Sequence, residues 1–306
     1  MKTLLKHSGR IVLCTFLLLL IWMLSLTAAE NLIPSHLETD QAPEAMLFFR
    51  LILVCLIHVI LLYLTIRNSI WAGIKLIMVV FLLIFMIQYF LSMIEAIWFN
   101  DSLNMPLSGI KSILLSGFLA ALLFSPLMVW ISGRIRSNKE FKETSLNISI
   151  SRGLIWKIPL LTVIVYPALY FLAGYYIAWQ SESVRLFYTG SAEIENFGKM
   201  LIDNVRSGLY GFQILRGLIW VGLAIPLYLM LKGSFWWKGV LTGFLFALLM
   251  NAQHLLPNPY FPADVSFVHF IETASSNFVW GFIIILVFHG LNGERHEKWQ
   301  NLNTLE

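Results

Sequence analysis

The sequence predicts an all-α fold: a single polytopic membrane bundle of about eight transmembrane helices, with an amphipathic helix lying in the outer interface. Three observations carry that expectation. Of the 306 residues, 58% are hydrophobic and 12% charged, and the mean hydropathy is +0.76, where a soluble domain carries about 25% charged residues. The apolar residues fall in runs of about 20, the length a helix needs to cross about 30 Å of hydrocarbon with its backbone hydrogen bonds satisfied internally. Lys and Arg collect in alternate loops, as they do in chains threaded through a bilayer.

The same figures exclude other classes. Abundant Leu, Ile and Phe rule out disorder, and 19 Gly and 2 Cys rule out a collagen-like or disulfide-stapled chain. The net charge of +4 comes from basic residues scattered over short loops, so no nucleic-acid partner is expected. Cys14 and Cys55 sit inside apolar runs, where a thiol packs as a small hydrophobe.

Taken in order, the first run, 11–28, follows Lys2, Lys6 and Arg10 and gives way to Thr27-Ala28-Ala29. Residues 1–29 read as a signal anchor, with a cleavable signal peptide as the alternative. The bundle covers 46–290. Its second run, 46–66, carries His58 at mid-depth, which reads as a neutral imidazole bonded to a neighbouring helix. The third, 70–98, ends on Gln88, Ser92 and Glu95, spaced to form one polar stripe. The fourth, 110–132, and the fifth, 155–178, flank a basic inner loop at 133–152, and the fifth sets Tyr166 and Tyr170 one turn apart.

The outer stretch 179–212 holds Arg185 and Tyr188. Ile194, Phe197, Leu201, Val205, Leu209 and Phe212 then recur every three or four residues. That pattern reads as an amphipathic helix flat in the interface, or as a lid over a cavity. The sixth run, 213–231, opens with Gln213, Arg216 and Trp220 on one face. The seventh, 236–255, has Gly239, Gly243 and Ala247 at the spacing of a close helix contact, and Asn251, His254 and Asn258 at its end before Pro257 and Pro259 stop the helix. The eighth, 269–290, is preceded by Ser266 and carries His269, Glu272 and Ser276 on one face, with Asn277 alongside; 291–306 reads as a cytoplasmic tail.

Placing the N-terminus in the cytoplasm puts 15 of the 21 Lys and Arg inside. Both termini are then cytoplasmic, and the plasma membrane is the expected location. The polar stripes of three or four helices come to a common depth toward the outer end, and polar faces in lipid turn inward, so these stripes are expected to meet within about one helix diameter, about 10 Å.

Three functions fit such a cluster. The first is binding, with or without transport, of a small polar or lipid-derived ligand, with Gln88, Arg185, Arg216, Asn258 and Asn277 as contacts. The second is a metal-assisted hydrolase or transferase acting on a lipid or peptide, with Glu95 or Glu272 as general base. There His254, His269, Glu272 and Glu95 would hold a divalent metal such as zinc, since imidazole and carboxylate suit that ion. The third is a non-catalytic assembly protein whose polar stripes bind helices together. An ion pair of Arg216 with Glu95 or Glu272, and of Arg185 with Glu182, is the plain structural alternative to a ligand site.

Glu95, His254 and His269 follow the order of the glutamate and histidine motifs of the membrane-embedded CAAX-type proteases. The likeness stops at the order. Ile94-Glu95-Ala96 has a single Glu, Thr273 stands where that family has Asn or Asp, and the two histidines are too close in sequence. No catalytic residue is carried over from that family. No G-x-S-x-G elbow or nucleotide loop is present either.

Overall fold

A computed structural model describes residues 2–35, 44–136 and 152–303. Most of the basic loop expected at 133–152, and the last three residues of the tail, lie outside the described residues. Among those described, no strand forms, and the β-type pairing consists of two isolated bridges, Ser69 with Leu231 and Asn258 with Phe261.

Eight of the described helices are long and apolar enough to cross a membrane. They are α1 (Lys2–Leu32), α2 (Glu44–Arg67), α3 (Gly73–Trp98), α4 (Leu107–Ile131), α5 (Trp156–Gln180), α8 (Leu209–Met230), α9 (Phe235–Asn251) and α10 (Ala263–Asn303). Two shorter helices, α6 (Glu182–Thr189) and α7 (Phe197–Arg206), lie between the fifth and sixth spans. The chain is therefore a multi-pass membrane protein. The final helix does not stop at the expected end of the span but continues to Asn303.

The centre is filled by large apolar side chains that are fully buried, including Trp220, Trp280, Phe124 and Phe246, with the Trp220 and Phe246 rings 4.4 Å apart. The outside is equally apolar: Phe16, Leu20, Leu122, Leu123 and Leu286 are exposed. A helix that is apolar all round belongs in lipid, where such a surface carries no cost.

Proline shapes the fifth span. Pro167 has no N–H to give to the carbonyl four residues back, that of Val163. The helix loosens into a π-type stretch over Leu160–Val165, between Pro159 and Pro167, and the Tyr210 hydroxyl of α8 donates to Val163 O at 2.5 Å. A hydroxyl from the neighbouring span thus replaces the missing donor, as hydrocarbon surroundings require.

At one end of the bundle three turns are joined through their backbones. Ile70 donates to Met230 O, Lys232 to Asn68 O, and Gly73 to Arg134 O. The Arg134 guanidinium adds bonds to the carbonyls of Ser69 and Trp71. We call this the basic end. The first helix packs along the others rather than standing apart: Cys14 and Ala29 are fully buried, His7 Nδ1 lies 2.5 Å from the Tyr63 hydroxyl, and Glu30 Oε2 accepts from Ser112 Oγ at 3.3 Å. His58 bonds through Nε2 to Leu248 O at 3.2 Å, which makes that nitrogen the donor.

A close backbone-to-backbone helix contact joins α9 and α10. A Cβ on Gly243 would lie 2.7 Å from Phe278 O, and one on Gly281 would lie 2.9 Å from Thr242 O and 3.0 Å from Gly243 Cα. Glycine is required there because backbone, which cannot swing aside, occupies the space. Gly281→Val is accordingly expected to cost about 1–3 kcal/mol through overpacking, read as a lowered midpoint of thermal unfolding in detergent. An unchanged midpoint would contradict so close an approach.

Candidate functional site

At the end opposite the basic turns, four helices bring their polar residues together. The stripe on α3 and the stripe on α8 meet through an ion pair. Both Arg216 terminal nitrogens donate to Glu95, Nη1 to Oε1 and Nη2 to Oε2, each at 2.7 Å. Arg216 is 3% exposed and Glu95 21%. Fork-to-fork pairing of this kind makes the strongest use of a guanidinium. Nη1 also reaches Gln213 Oε1 at 3.1 Å, one turn back on α8, and the guanidinium carbon lies 5.9 Å from the Tyr170 and Phe212 ring centres.

A second group stands on α10. His269 Nδ1 is 3.1 Å from Glu272 Oε2, and His269 Nε2 is 3.1 Å from the Tyr188 hydroxyl on α6. A carboxylate only accepts, so Nδ1 carries the ring proton, Nε2 presents its lone pair, and Tyr188 donates to it; this tautomer follows from the partners. Burial pushes the Tyr188 phenol above its ordinary range, and the nearby Glu95 and Glu272 carboxylates push it further.

His254 belongs to a separate pair. The Ser266 hydroxyl donates to His254 O at 3.1 Å; its single proton is thereby used, so His254 Nδ1, 3.2 Å away, is the donor to Ser266 Oγ. The two imidazole rings are 6.4 Å apart, centre to centre.

Between these groups lies a narrow cavity lined by Glu95, Tyr166, Tyr170, Arg216, Glu272, Thr273, Ser276, Asn277 and Trp280, together with Leu169. The centre of a water molecule can occupy about 10 Å³ of it, room for roughly one water. Two of its lining residues carry buried donors without an acceptor among the described residues: Arg216 Nε and Trp280 Nε1. Gln213 Nε2, beside Arg216, is in the same condition. A buried donor left without an acceptor costs about 1–3 kcal/mol.

On the lipid-facing side of the same two helices runs an open apolar groove of about 520 Å³, lined by Phe90, Ile94, Ile97, Trp98, Phe212, Leu215 and Ile219. Trp98 and Phe212 stack at 4.7 Å across it. Its walls flank Glu95 and Arg216 in sequence, so the ion pair joins the two helices that form the groove.

Several expectations from the sequence are revised by this geometry. The four residues proposed as metal ligands do not form one donor set: Glu95 is held by Arg216, His254 by Ser266, and His269 by Glu272 and Tyr188. Among the described residues there is no group of three or more His, Cys, Asp or Glu that could hold a metal ion. Arg185 is buried, but it makes no pair with Glu182; its Nε donates to Ala192 O and its Nη1 to Trp179 O, both at 2.7 Å. It braces the loop before and after α6. Asn258 Oδ1 accepts from Tyr260 N at 2.9 Å and shapes a turn. Gln88 is buried in the π-type stretch Leu83–Phe90 of α3, apart from the cavity lining. Asn277 does line the cavity.

The amphipathic stretch is also altered. Gly208, at φ 87°, ends it, so Leu209 and Phe212 belong to α8, while Met200 is the buried residue of α7. Ile194, Ile202 and Val205 stay exposed. Three residues of the site were not foreseen as site residues: Tyr188, Gln213 and Trp280. Tyr188 stands 81 residues from His269 in sequence, and an indole in an apolar run gives no sign that its N–H is unpaired.

Comparison with protein-family models, curated proteins and solved structures finds no match to this chain.

Removing one partner of a buried ion pair leaves a charge without compensation, at a cost of about 3–5 kcal/mol. Arg216→Met and Glu95→Gln should each destabilise the protein on that scale, with the double variant losing less than the sum. A double-mutant cycle on unfolding midpoints measures this, and additive losses would contradict the pairing.

Proposed function

We propose that this membrane protein binds a neutral, lipid-derived ligand at the polar end of its bundle, one oxygen-bearing group entering the cavity while an apolar chain lies in the groove beside it. The observation that carries the reading is that two residues lining one cavity, Arg216 and Trp280, each hold a buried donor, Nε and Nε1, with no acceptor among the described residues. Such donors are satisfied by an acceptor brought from outside, a water or a ligand oxygen.

Size and charge narrow the ligand. The cavity admits one small group and not a whole headgroup. Its lining contains two carboxyl groups, Glu95 and Glu272, against one guanidinium, Arg216, an arrangement that favours a carbonyl or hydroxyl over a phosphate. An apolar groove on the membrane face supplies room for a hydrocarbon chain, and pockets of this kind combine much apolar lining with few polar contacts.

Binding without transport fits better than passage across the membrane. Inward of Arg216 the bundle is closed by Trp220 and Phe246, both fully buried, and the His58 donor is satisfied by a backbone carbonyl. The distribution of Lys and Arg supports a cytoplasmic location for both termini and for the basic end, and with it a ligand site that opens to the outer face.

The test uses delipidated protein in micelles, offered dioleoylglycerol or dioleoyl phosphatidic acid, with bound lipid read by native mass spectrometry. One diacylglycerol per chain, retained in preference to the phosphatidic acid, is the expected result. Trp280→Phe should weaken retention roughly 2–10-fold, the value of one hydrogen bond. Folded protein that retains no diacylglycerol, or prefers the anionic lipid, would overturn the reading.

A further inference from the structure

We infer that Glu272, His269 and Tyr188 form a nucleophilic triad, in which the Tyr188 hydroxyl oxygen attacks the carbonyl carbon of a neutral acyl ester. The inference goes beyond ligand binding and stands on its own geometry. A nucleophile, a base within hydrogen-bond reach of it, and a third group orienting the base make up the arrangement that activates a weak oxygen nucleophile. All three are here at 3.1 Å contacts.

The hydrogen bonds run in the direction this chemistry needs. Glu272 accepts a hydrogen bond from the protonated Nδ1 of His269 and fixes the tautomer, so the lone pair of Nε2 faces the Tyr188 hydroxyl. Glu272 and His269 occupy one face of α10, three residues apart, where the helix itself sets their spacing. Tyr188 is held independently: Arg185, one turn earlier on α6, is fastened to the carbonyls on either side of that helix, and the tyrosine ring packs against Phe99 and Trp179 at 6.0 Å.

A phenol pushed upward by burial and by two carboxylates does not ionise unaided at neutral pH. Its proton must leave as the new bond forms, and Nε2 is placed to take it. The step balances without a co-reactant. The Tyr188 oxygen bonds to the acyl carbon, the phenolic proton passes to His269 Nε2, the bond from acyl carbon to ester oxygen breaks, and the departing alkoxide recovers that proton from the imidazolium. An aryl ester on Tyr188 and a free alcohol result. Water or a second alcohol, deprotonated by the same imidazole, then bonds to the acyl carbon; the bond from that carbon to the Tyr188 oxygen breaks, and the departing phenolate recovers the proton from the imidazolium.

Tyr188 is half-buried at the polar end, within reach of a reagent arriving from the interface. The probe is p-nitrophenyl butyrate, with the full chain in detergent micelles. Expected is a burst of p-nitrophenolate of one equivalent per chain and a butyryl group mapped by peptide mass to Tyr188, with exposed Tyr176 as the internal reference. Tyr188→Phe abolishes the burst. Glu272→Gln slows acylation at least about 10-fold and His269→Ala at least about 100-fold, the range of general-base assistance, and added imidazole partly restores His269→Ala. Rescue separates a chemical role from a structural one. Labelling of Tyr188 no faster than of Tyr176, or unchanged in Glu272→Gln while the protein elutes as folded, would overturn the triad, whatever the outcome of the diacylglycerol experiment.

Discussion

Two opposite charges taken out of water at the same place set the terms for the polar end of this protein. The desolvation of a guanidinium and a carboxylate costs several kcal/mol for each ion, and only close, forked contact in surroundings of low dielectric recovers it. Glu95 and Arg216 therefore have to face each other, and that requirement fixes the rotation of α3 and α8 about their axes. Everything else at this end follows from the rotation. Ile94, Ile97 and Trp98 turn to one side with Phe212, Leu215 and Ile219, and make an apolar groove. Tyr166 and Tyr170 come in from α5, and Glu272, Ser276 and Trp280 from α10, to close the cavity on the other side.

The hydroxyl and amide groups around the pair obey the same economy of partners. Ser92 Oγ accepts from Gln253 at 3.3 Å, Trp220 donates to the Tyr166 hydroxyl at 3.2 Å, and Thr273 Oγ1 lies 2.6 Å from Asn251 Oδ1. In a medium without water each such group must find a partner in the protein. Against that background the donors of Arg216, Trp280 and Gln213 that find no acceptor among the described residues stand out. Arg185 illustrates the reverse case: a cation that looks like a ligand contact in the sequence spends its donors on backbone carbonyls and becomes a brace for Tyr188.

How much of this was legible in the sequence depends on the length scale of the signal. The eight spans follow from runs of apolar residues, and their bounds differ from those in the structure by a few residues at most of the ends. The convergence of Glu95, Arg216, His269 and Glu272 on one level followed from counting residues inward from each span end. Their pairing did not. Spacing along one helix shows that His269 and Glu272 share a face, but which of two carboxylates Arg216 takes is decided by helix rotation. Two imidazoles and two carboxylates sharing a depth suggest metal ligation from the sequence, whereas in the structure Ser266 and Tyr188, residues with no chelating signature, bond the two imidazoles. The single amphipathic helix expected after Ile194 is divided by Gly208, whose left-handed φ no periodicity count registers.

The three turns sewn together at the basic end have a mechanical meaning. They fasten the beginning of α3, at Gly73, and the end of α8, at Met230, to the same small patch of backbone. Glu95 lies 22 residues from that patch along α3, a lever of about 33 Å. Splaying the two helices apart is then a pivoting motion with its fulcrum at the basic end. A tilt of about 5° displaces the carboxylate by about 3 Å, the length of one hydrogen bond. The two helices have the geometry of tweezers, joined through backbone at the handle and closed at the tips by a salt bridge.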